Sequence, residues 1–519
     1  MNTTNLKITI NIIIAFSLIA FLYQLIIYKN FNDLLCIFII FLSNIITIFY
    51  CFNKKYFFNY PISLLMIFFS HFMNLGGALY LKSIEFTLLT EGLRLPLSTI
   101  FNLAIFNLLI ILGHKIYVNN KITNNIEFSL NNLFNNLKFF EVKDLKLLYI
   151  LSVLAIIGKF FYFDPSRTLN LADGGDKGTS IIKDVFWGVQ NFIFIPVIIF
   201  FSPILYDTKI DNKKNNFFFI IYFLLIIFVA LGSNGRSIMY DFIFLFGIIF
   251  FLLFLFDKIT PKKNRLIKIL LFFLFLFLSI NFLENVSKNF IIERETANYK
   301  TPMENVKSFI TGINNSKNIE IYNQKNTNES MQVFKENYYK NSIYNRVNFL
   351  LVNDNINYLR LSLSTTDKEN IKDYLVNKIY TIVPQPIINL FTDDFDKRDY
   401  RNSVASILYK NFDYKHGAPL NIGSSLFSLH IFFDKWIYLI LLFFFIPFFI
   451  FFDAFYNKKT MIFSPFIIIF FYSTGAGIFN FIAATDVSVW FSFAFRTIPQ
   501  SLIIILIIRF IYQSLLKKD

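Results

Sequence analysis

Charge is scarce in this chain. Only 16% of its 519 residues are Asp, Glu, Lys or Arg, against about 25% for a soluble domain. Cysteine is rarer, with Cys36 and Cys51 alone, which excludes a disulfide framework and a cysteine-based metal site. There is no His/Cys zinc set, no GxxxxGK[ST] loop and no GxGxxG fingerprint, so ATPase and nucleotide-sugar chemistry lose their usual phosphate cradle. The energy for any reaction must then arrive with the substrate, and no cofactor or metal is expected.

What is abundant is hydrocarbon. The chain is 55% hydrophobic and carries 72 phenylalanines. Its apolar residues fall in runs of roughly 18–25, the length that spans a bilayer. The fold class expected is an all-α polytopic membrane protein of twelve spans, near 9–27, 33–52, 57–80, 95–117, 145–163, 185–206, 217–232, 237–256, 266–283, 432–452, 461–484 and 488–511. The first run lacks a small-residue cleavage site and reads as a retained helix. The domains are then a bundle over 1–283, a large polar loop or cap over 284–431, and the last three helices over 432–519. Pieces such as "YNRVNFLLVNDNINYLRLSL" give the cap a mainly helical look.

The net charge of +15 does not call for nucleic acid, because cytoplasmic loops collect Lys and Arg. Lys54 and Lys55, Lys209, Lys213 and Lys214, Lys262 and Lys263, and Lys458 and Lys459 all follow even-numbered spans. Both termini are therefore expected in the cytoplasm and the cap outside.

Arginine breaks this pattern. Arg94, Arg167, Arg236, Arg294, Arg346, Arg360, Arg398, Arg401 and Arg496 all fall on or near the outer side, and only Arg265 and Arg509 fall inside. Arginines in a long outer domain are ordinary surface residues in half of such cases, since long domains translocate regardless of charge. Arg236, in "ALGSNGRSIMYDF", and Arg496 lie in or beside apolar segments, where an ionised group is costly and usually faces a cavity. Snorkelling to the interface is the structural alternative for both. The guanidinium fork pairs with phosphate bidentately and keeps its charge. Several forks at one membrane surface suit an anionic ligand whose tail lies in the bilayer, and a lipid-linked diphosphate is the natural one.

Two histidines, His71 and His114, sit in spans and read as packing or hydrogen-bonding residues. His416 and His430 flank "GAPLNIGSSLFSL" at the junction of cap and membrane. A neutral imidazole there could take a proton from a sugar hydroxyl, and His416, before a glycine turn, is favoured. The clusters "DGGD" (173–176) and "DDFD" (393–396) are followed by Lys177 and by Lys397 and Arg398, so both read as solvated, locally neutralised loops rather than cation sites.

The many spans, the "SNGRS" hairpin and one large outer loop before the last spans resemble the Wzy-type O-antigen polymerases. Gly235, Arg236 and Ser237 resemble the family's mid-chain glycine–arginine turn, and Arg346 in "YNRVNFLLV" resembles its helix-opening arginine. Gln385 in "IVPQPI" stands where an arginine is common. Arg167…Gly178 and Arg401…Gly417 match two arginine–glycine spacings of some members, on a motif of low specificity. The resemblance implies a GT-C-like architecture in a bacterial inner membrane with the large loop periplasmic. It implies joining of undecaprenyl-diphosphate-linked repeat units by metal-independent glycosyl transfer. The bilayer and these glycans are the expected partners, no nucleic acid is, and a chain-length regulator is left open. Arg236, Arg401 and His416 are then the catalytic candidates, and Arg236, Arg167, Arg346 and Arg398 the diphosphate-binding ones. An O-antigen ligase, with the same topology and donor, and a lipid-linked oligosaccharide flippase or transporter are the alternatives. A lipid-phosphate-sugar glycosyltransferase ranks lower, because the first outer loop is only about 28–32 with Asp33 beside it.

Overall fold

The computed structural model describes residues 4–140, 145–161, 190–206, 212–232, 236–258, 304, 307, 311, 338–341, 344–383, 388, 390, 395–400, 403–411, 424–467, 482 and 487–516. Five helices among them are long and apolar enough to cross a membrane: α1 (Thr4–Ile27), α2 (Phe31–Cys51), α3 (Pro61–Ile84), α4 (Pro96–Asn119) and, last in the chain, α14 (Val487–Ser514). Between α4 and α14 come α5 (Lys121–Asn136), α6 (Lys146–Phe161), α7 (Ile195–Leu205), α8 (Asn212–Gly232) and α9 (Arg236–Leu255). They are followed by α10 (Leu350–Leu361), α11 (Thr365–Tyr380) and α12 (Ser425–Phe433), and by α13 (Ile437–Asp453). The molecule is mostly helical, as composition requires. The expected span 266–283 lies outside the described residues, as does most of 461–484.

One boundary is corrected. Ile462–Phe463 is a short strand rather than a helix start, paired antiparallel with Tyr456–Asn457. The Asn457 side chain accepts from the backbone N–H of Lys459 at 3.0 Å and Thr460 at 3.2 Å, an Asx turn that reverses the chain.

Local chemistry starts the helices. Pro61 and Pro96 open α3 and α4, where the missing N–H costs nothing. Asn30 and Asp33 form a capping box on α2, and the second Asp33 oxygen accepts from Thr90 Oγ at 2.6 Å. A cap and an interhelix tie thus share one carboxylate. α2 packs between α1 and α4, and α4 packs on α13. A Cβ at Gly113 would stand 2.5 Å from the Leu442 carbonyl oxygen, so only glycine lets α4 and α13 approach this closely.

At the end of the bundle where α3 begins, a buried polar chain joins distant segments. Tyr50 Oη meets His114 Nδ1 at 2.8 Å, and His114 Nε2 meets Ser63 Oγ at 2.8 Å. Ser63 Oγ donates to Asp453 Oδ2 at 2.6 Å. Tyr117 Oη lies 3.3 Å from the same oxygen and 3.0 Å from Glu127 Oε2, which Lys458 closes at 2.7 Å. Ser63, His114 and Asp453 have no more than traces of exposure. Buried polar groups are retained where every member finds a partner.

The other end carries α10 and α11. Two helices of membrane-crossing length each contain a π turn, Phe72–Gly76 in α3 and Phe493–Thr497 in α14. Such turns widen the helix and redirect side chains. The first receives the segment before α10: Phe349 N–H donates to Met73 O at 2.7 Å, Asn348 Nδ2 to Phe72 O at 3.0 Å, and Asn353 Nδ2 to Asn74 Oδ1 at 3.0 Å. Asp354, wholly buried, accepts from the backbone N–H of Leu95 at 3.1 Å and from Thr99 Oγ at 2.7 Å, and also from Arg94 N–H. Its carboxylate fills the N-terminus of α4, where helix donors have no partners of their own. Lys82, 3% exposed, donates to Tyr338 O at 2.6 Å and lies 3.9 Å from the Tyr338 ring centroid. The α10 segment is therefore wedged into the helix ends rather than laid over them.

Candidate functional site

The site is built where α11 and α12 meet the start of α14, since α11 and α12 both contact Val487–Ser492. A short 3-10 helix, Lys397–Tyr400, also packs on α11. Its position is fixed by rings: Phe395 stacks on Tyr400 at 5.0 Å, and Tyr400 meets Tyr374 of α11 at 5.3 Å. Lys397 then reaches back to donate to the Val383 carbonyl.

Lys397 lies close enough to Arg496 to feel its charge. Arg496 is exposed in the π turn of α14, a largely apolar helix whose other charge is Arg509. Burial pushes the Lys397 ammonium below its ordinary pKa, and the nearby Arg496 charge pushes it the same way. Among the described residues neither cation forms an ion pair with a carboxylate. Lys397 donates to the Val383 carbonyl; the expected local neutralisation of "DDFD" falls on Asp393, Asp394 and the Arg398 side chain, which lie outside the described residues. Two like charges held together raise each other's energy, and an anion between them lowers it. Arg398 lies in the same 3-10 helix.

A second group lies on α10 and α12, which also pack together. Arg360 Nη2 donates to Asn357 Oδ1 at 3.0 Å, and the guanidinium sits 5.5 Å from the Phe427 ring centroid. Its Nε has no hydrogen-bond partner among the described residues. Burial lowers its pKa, so part of its hydration is lost without a paired carboxylate to replace it. His430 of α12 stands nearby, edge-to-face with Tyr438 at 5.5 Å, and its Nε2 is likewise unpartnered among the described residues. Burial first, and then the Arg360 charge, push its pKa down to about 4. It is a neutral imidazole at pH 7, well suited to hydrogen bonding and poorly matched to general-base work there.

The sequence-derived candidates fall as follows. Arg236 is the first residue of α9, Arg346 lies in the single turn Tyr344–Val347, and Arg398 lies in the 3-10 helix; the side chains of all three are outside the description. Arg167, Arg401 and His416 lie outside the described residues. Of the candidates, only Arg398 is placed at the Lys397–Arg496 pair, on backbone position. Sequence reasoning singled out Arg496 as a costly charge in an apolar segment without giving it a role. It passed over Lys397, whose acidic neighbours mask it, and it set His430 below His416. Arg360 was rated as an even chance of a plain surface residue.

The chain matches no protein-family model, no curated protein and no solved structure.

Proposed function

We propose that this protein is a membrane glycosyltransferase that polymerises lipid-diphosphate-linked oligosaccharide repeat units, as the O-antigen polymerases do. The observation that carries the proposal is the Lys397–Arg496 pair: two cations without carboxylate partners among the described residues, one on a cap turn and one in an apolar helix. A diphosphate on a lipid tail has the matching charge at the matching level. The proposal includes twelve spans in a GT-C-like bundle, cytoplasmic termini and a periplasmic cap in a bacterial inner membrane.

In the reaction, a hydroxyl of the incoming lipid-linked unit attacks the anomeric carbon of the growing chain. The bond from that carbon to the diphosphate breaks, and undecaprenyl diphosphate leaves with the electron pair. Lys397 and Arg496 hold the leaving diphosphate, with Arg236, Arg398, Arg401, Arg346 and Arg167 as further cations. Their contribution is electrostatic, aimed at charge that grows in the transition state. His416 takes the hydroxyl proton. His430, held neutral, serves as a hydrogen-bond partner beside Arg360.

The test removes the gene and sizes the surface glycan. Loss of the long-chain ladder, with one repeat unit still attached to core, is the expected result. Lipid-linked polymer with bare core would replace this reading by a ligase, and inward-facing lipid-linked units would replace it by a flippase. Arg496→Gln, expressed at normal level, is expected to abolish rescue of the ladder.

A further inference from the structure

α5 lies across the end of the bundle where α3 begins. It follows α4 after one residue, Asn120, whose side chain caps it by accepting from the Ile122 N–H at 2.8 Å. Past its far end, the Leu137 carbonyl accepts from the Arg509 guanidinium of α14. Between these points polar groups pin α5 to helix ends. Tyr60 Oη donates to Asn124 Oδ1 at 3.0 Å, and Asn131 Nδ2 donates to the Ala454 and Tyr456 carbonyls at 2.9 Å. Glu127 accepts from Tyr117 and Lys458, and Phe134 stacks on Phe455 at 4.4 Å.

Polar groups are thus turned inward and aliphatic ones outward. Ile122, Ile126 and Leu133 are 69%, 46% and 49% exposed. At about 3.6 residues per turn they share one stripe, roughly a third of a turn round the helix from the packed Glu127 and Phe134. Asn125 and Asn132, both exposed, stand on the side away from the bundle. Phe128 is exposed too, off the stripe. Six of the 16 residues of α5 are asparagine, so it is too polar to cross hydrocarbon. An apolar stripe beside a polar face is the form that lies in a membrane interface, its stripe about 5–10 Å into the boundary of headgroups and chains.

The stripe continues the bundle's own apolar surface. On α4, Leu108, Leu112 and Ile116 are exposed as far as the last turn before α5, and on α14, Phe510 and Ile511, beside Arg509, are 72% and 52% exposed. α5 therefore runs between two apolar belts at the level where both end. Charge agrees with this placement. Lys115, Lys121 and Lys138 are exposed on and beside α5, while its one carboxylate, Glu127, is 2% exposed and paired with Lys458. Exposed cations next to exposed hydrocarbon match an anionic headgroup next to its own chains. A protein segment docked on the stripe would use the aliphatic side chains and leave the lysines unanswered.

We propose that α5 is an interfacial helix that seats anionic phospholipid: Ile122, Ile126 and Leu133 lie among the acyl chains of the adjoining leaflet, and Lys121 and Lys138 hold the headgroup phosphates. The proposal rests on α4 and α14 crossing the bilayer and is independent of glycosyl transfer.

The test uses the full-length protein in nanodiscs of phosphatidylcholine and phosphatidylglycerol in equal parts. Ile126→Cys, Leu133→Cys, Asn132→Cys and, as a marker of the span, Leu112→Cys are made singly and labelled with nitrobenzoxadiazole; Cys36 and Cys51 are buried. The quenchers are bromine near the top of the acyl chains and iodide in the water. Both stripe positions are expected to be quenched by bromine at least about threefold more than Asn132→Cys, and iodide should show the reverse order. Moving the bromine from phosphatidylcholine to phosphatidylglycerol should strengthen quenching at Ile126→Cys roughly twofold, and adding Lys121→Gln with Lys138→Gln should remove that gain. Stripe positions quenched by iodide, with Leu112→Cys quenched by bromine, would overturn the proposal and leave the spans standing. Stripe positions shielded from both quenchers would overturn it by placing protein there, another segment of this chain or a second copy. Equal quenching by the two brominated lipids would overturn the choice of anionic lipid. Absence of bromine quenching at Leu112→Cys would remove the span itself, and the proposal with it.

Discussion

Arg496 and Lys397 are linked by repulsion, and that gives them a distinctive signature. If an anion sits between them, Arg496→Gln and Lys397→Gln should each reduce glycan polymer at least tenfold, about 1.4 kcal/mol of barrier. The double variant should lose less than the product, because the two act on one ligand. Strict multiplicativity in a well-expressed double variant would show that they act separately. His430 makes a prediction about acid. Its folded pKa, about 4, lies below the ordinary value near 6.5. Its neutral form is the one the fold tolerates. That stability is fully present above the unfolded value and is lost as pH falls through the folded one. Thermal stability should therefore decline between about pH 6.5 and 4 more steeply in the wild type than in His430→Gln, and parallel pH curves would remove His430 from the account. The oddity of Arg496 was legible in sequence at this scale, because an arginine in an apolar run announces its own cost. That Lys397 lies near Arg496 was not, since Lys397 sits beside "DDFD" in sequence and nothing local links it to a helix almost 100 positions later.

Helices meet in this protein where side chains are missing. At Gly113 a methyl group would meet backbone, which cannot swing aside. Gly113→Ala should then cost on the order of 1–3 kcal/mol, as overpacking does, and lower the unfolding temperature. Gly247 in α9 provides the control, since nothing lies within 4 Å of a Cβ built there. Gly247→Ala should stabilise by about 0.5–1 kcal/mol through helix propensity alone. Equal shifts for the two alanines would show that close approach of α4 and α13 is not what Gly113 provides. Asp354 is a comparable test of docking. Asp354→Ala leaves the Arg94 and Leu95 N–H groups and the Thr99 hydroxyl without their acceptor, a loss of about 1–3 kcal/mol, and should release the α10 segment to limited proteolysis at temperatures where the wild type resists. Helix existence was legible from apolar length, and helix starts from Pro61, Pro96 and the Asn30–Asp33 box. The wedging of α10 was not. Its sequence is rich in Asn and Asp and reads as solvated, yet those groups are buried because they find backbone partners that no sequence pattern displays.

For the whole molecule, the testable statement is sidedness. Cys36 and Cys51 are both buried and free, so the background for thiol labelling is low. Lys55→Cys and Thr366→Cys place exposed thiols at opposite ends of the bundle. A membrane-impermeant maleimide added to intact spheroplasts should label position 366 and leave position 55 until the membrane is opened, and the reverse order would invert the orientation. Composition alone made the apolar helices readable, because few charges and long apolar runs foretell the five described helices long enough to cross a bilayer. It could not show how the two halves of the chain are tied together. The ladder from Tyr50 through Ser63 and His114 to Asp453 and Lys458 joins residues about 390 positions apart at its widest single bond. During synthesis this has a temporal meaning. The first four long helices enter the bilayer carrying His114 and Ser63 hundreds of residues before Asp453 leaves the ribosome. Ser63 and His114 are thus made long before the carboxylate that completes their chain of hydrogen bonds, which only α13 can bring.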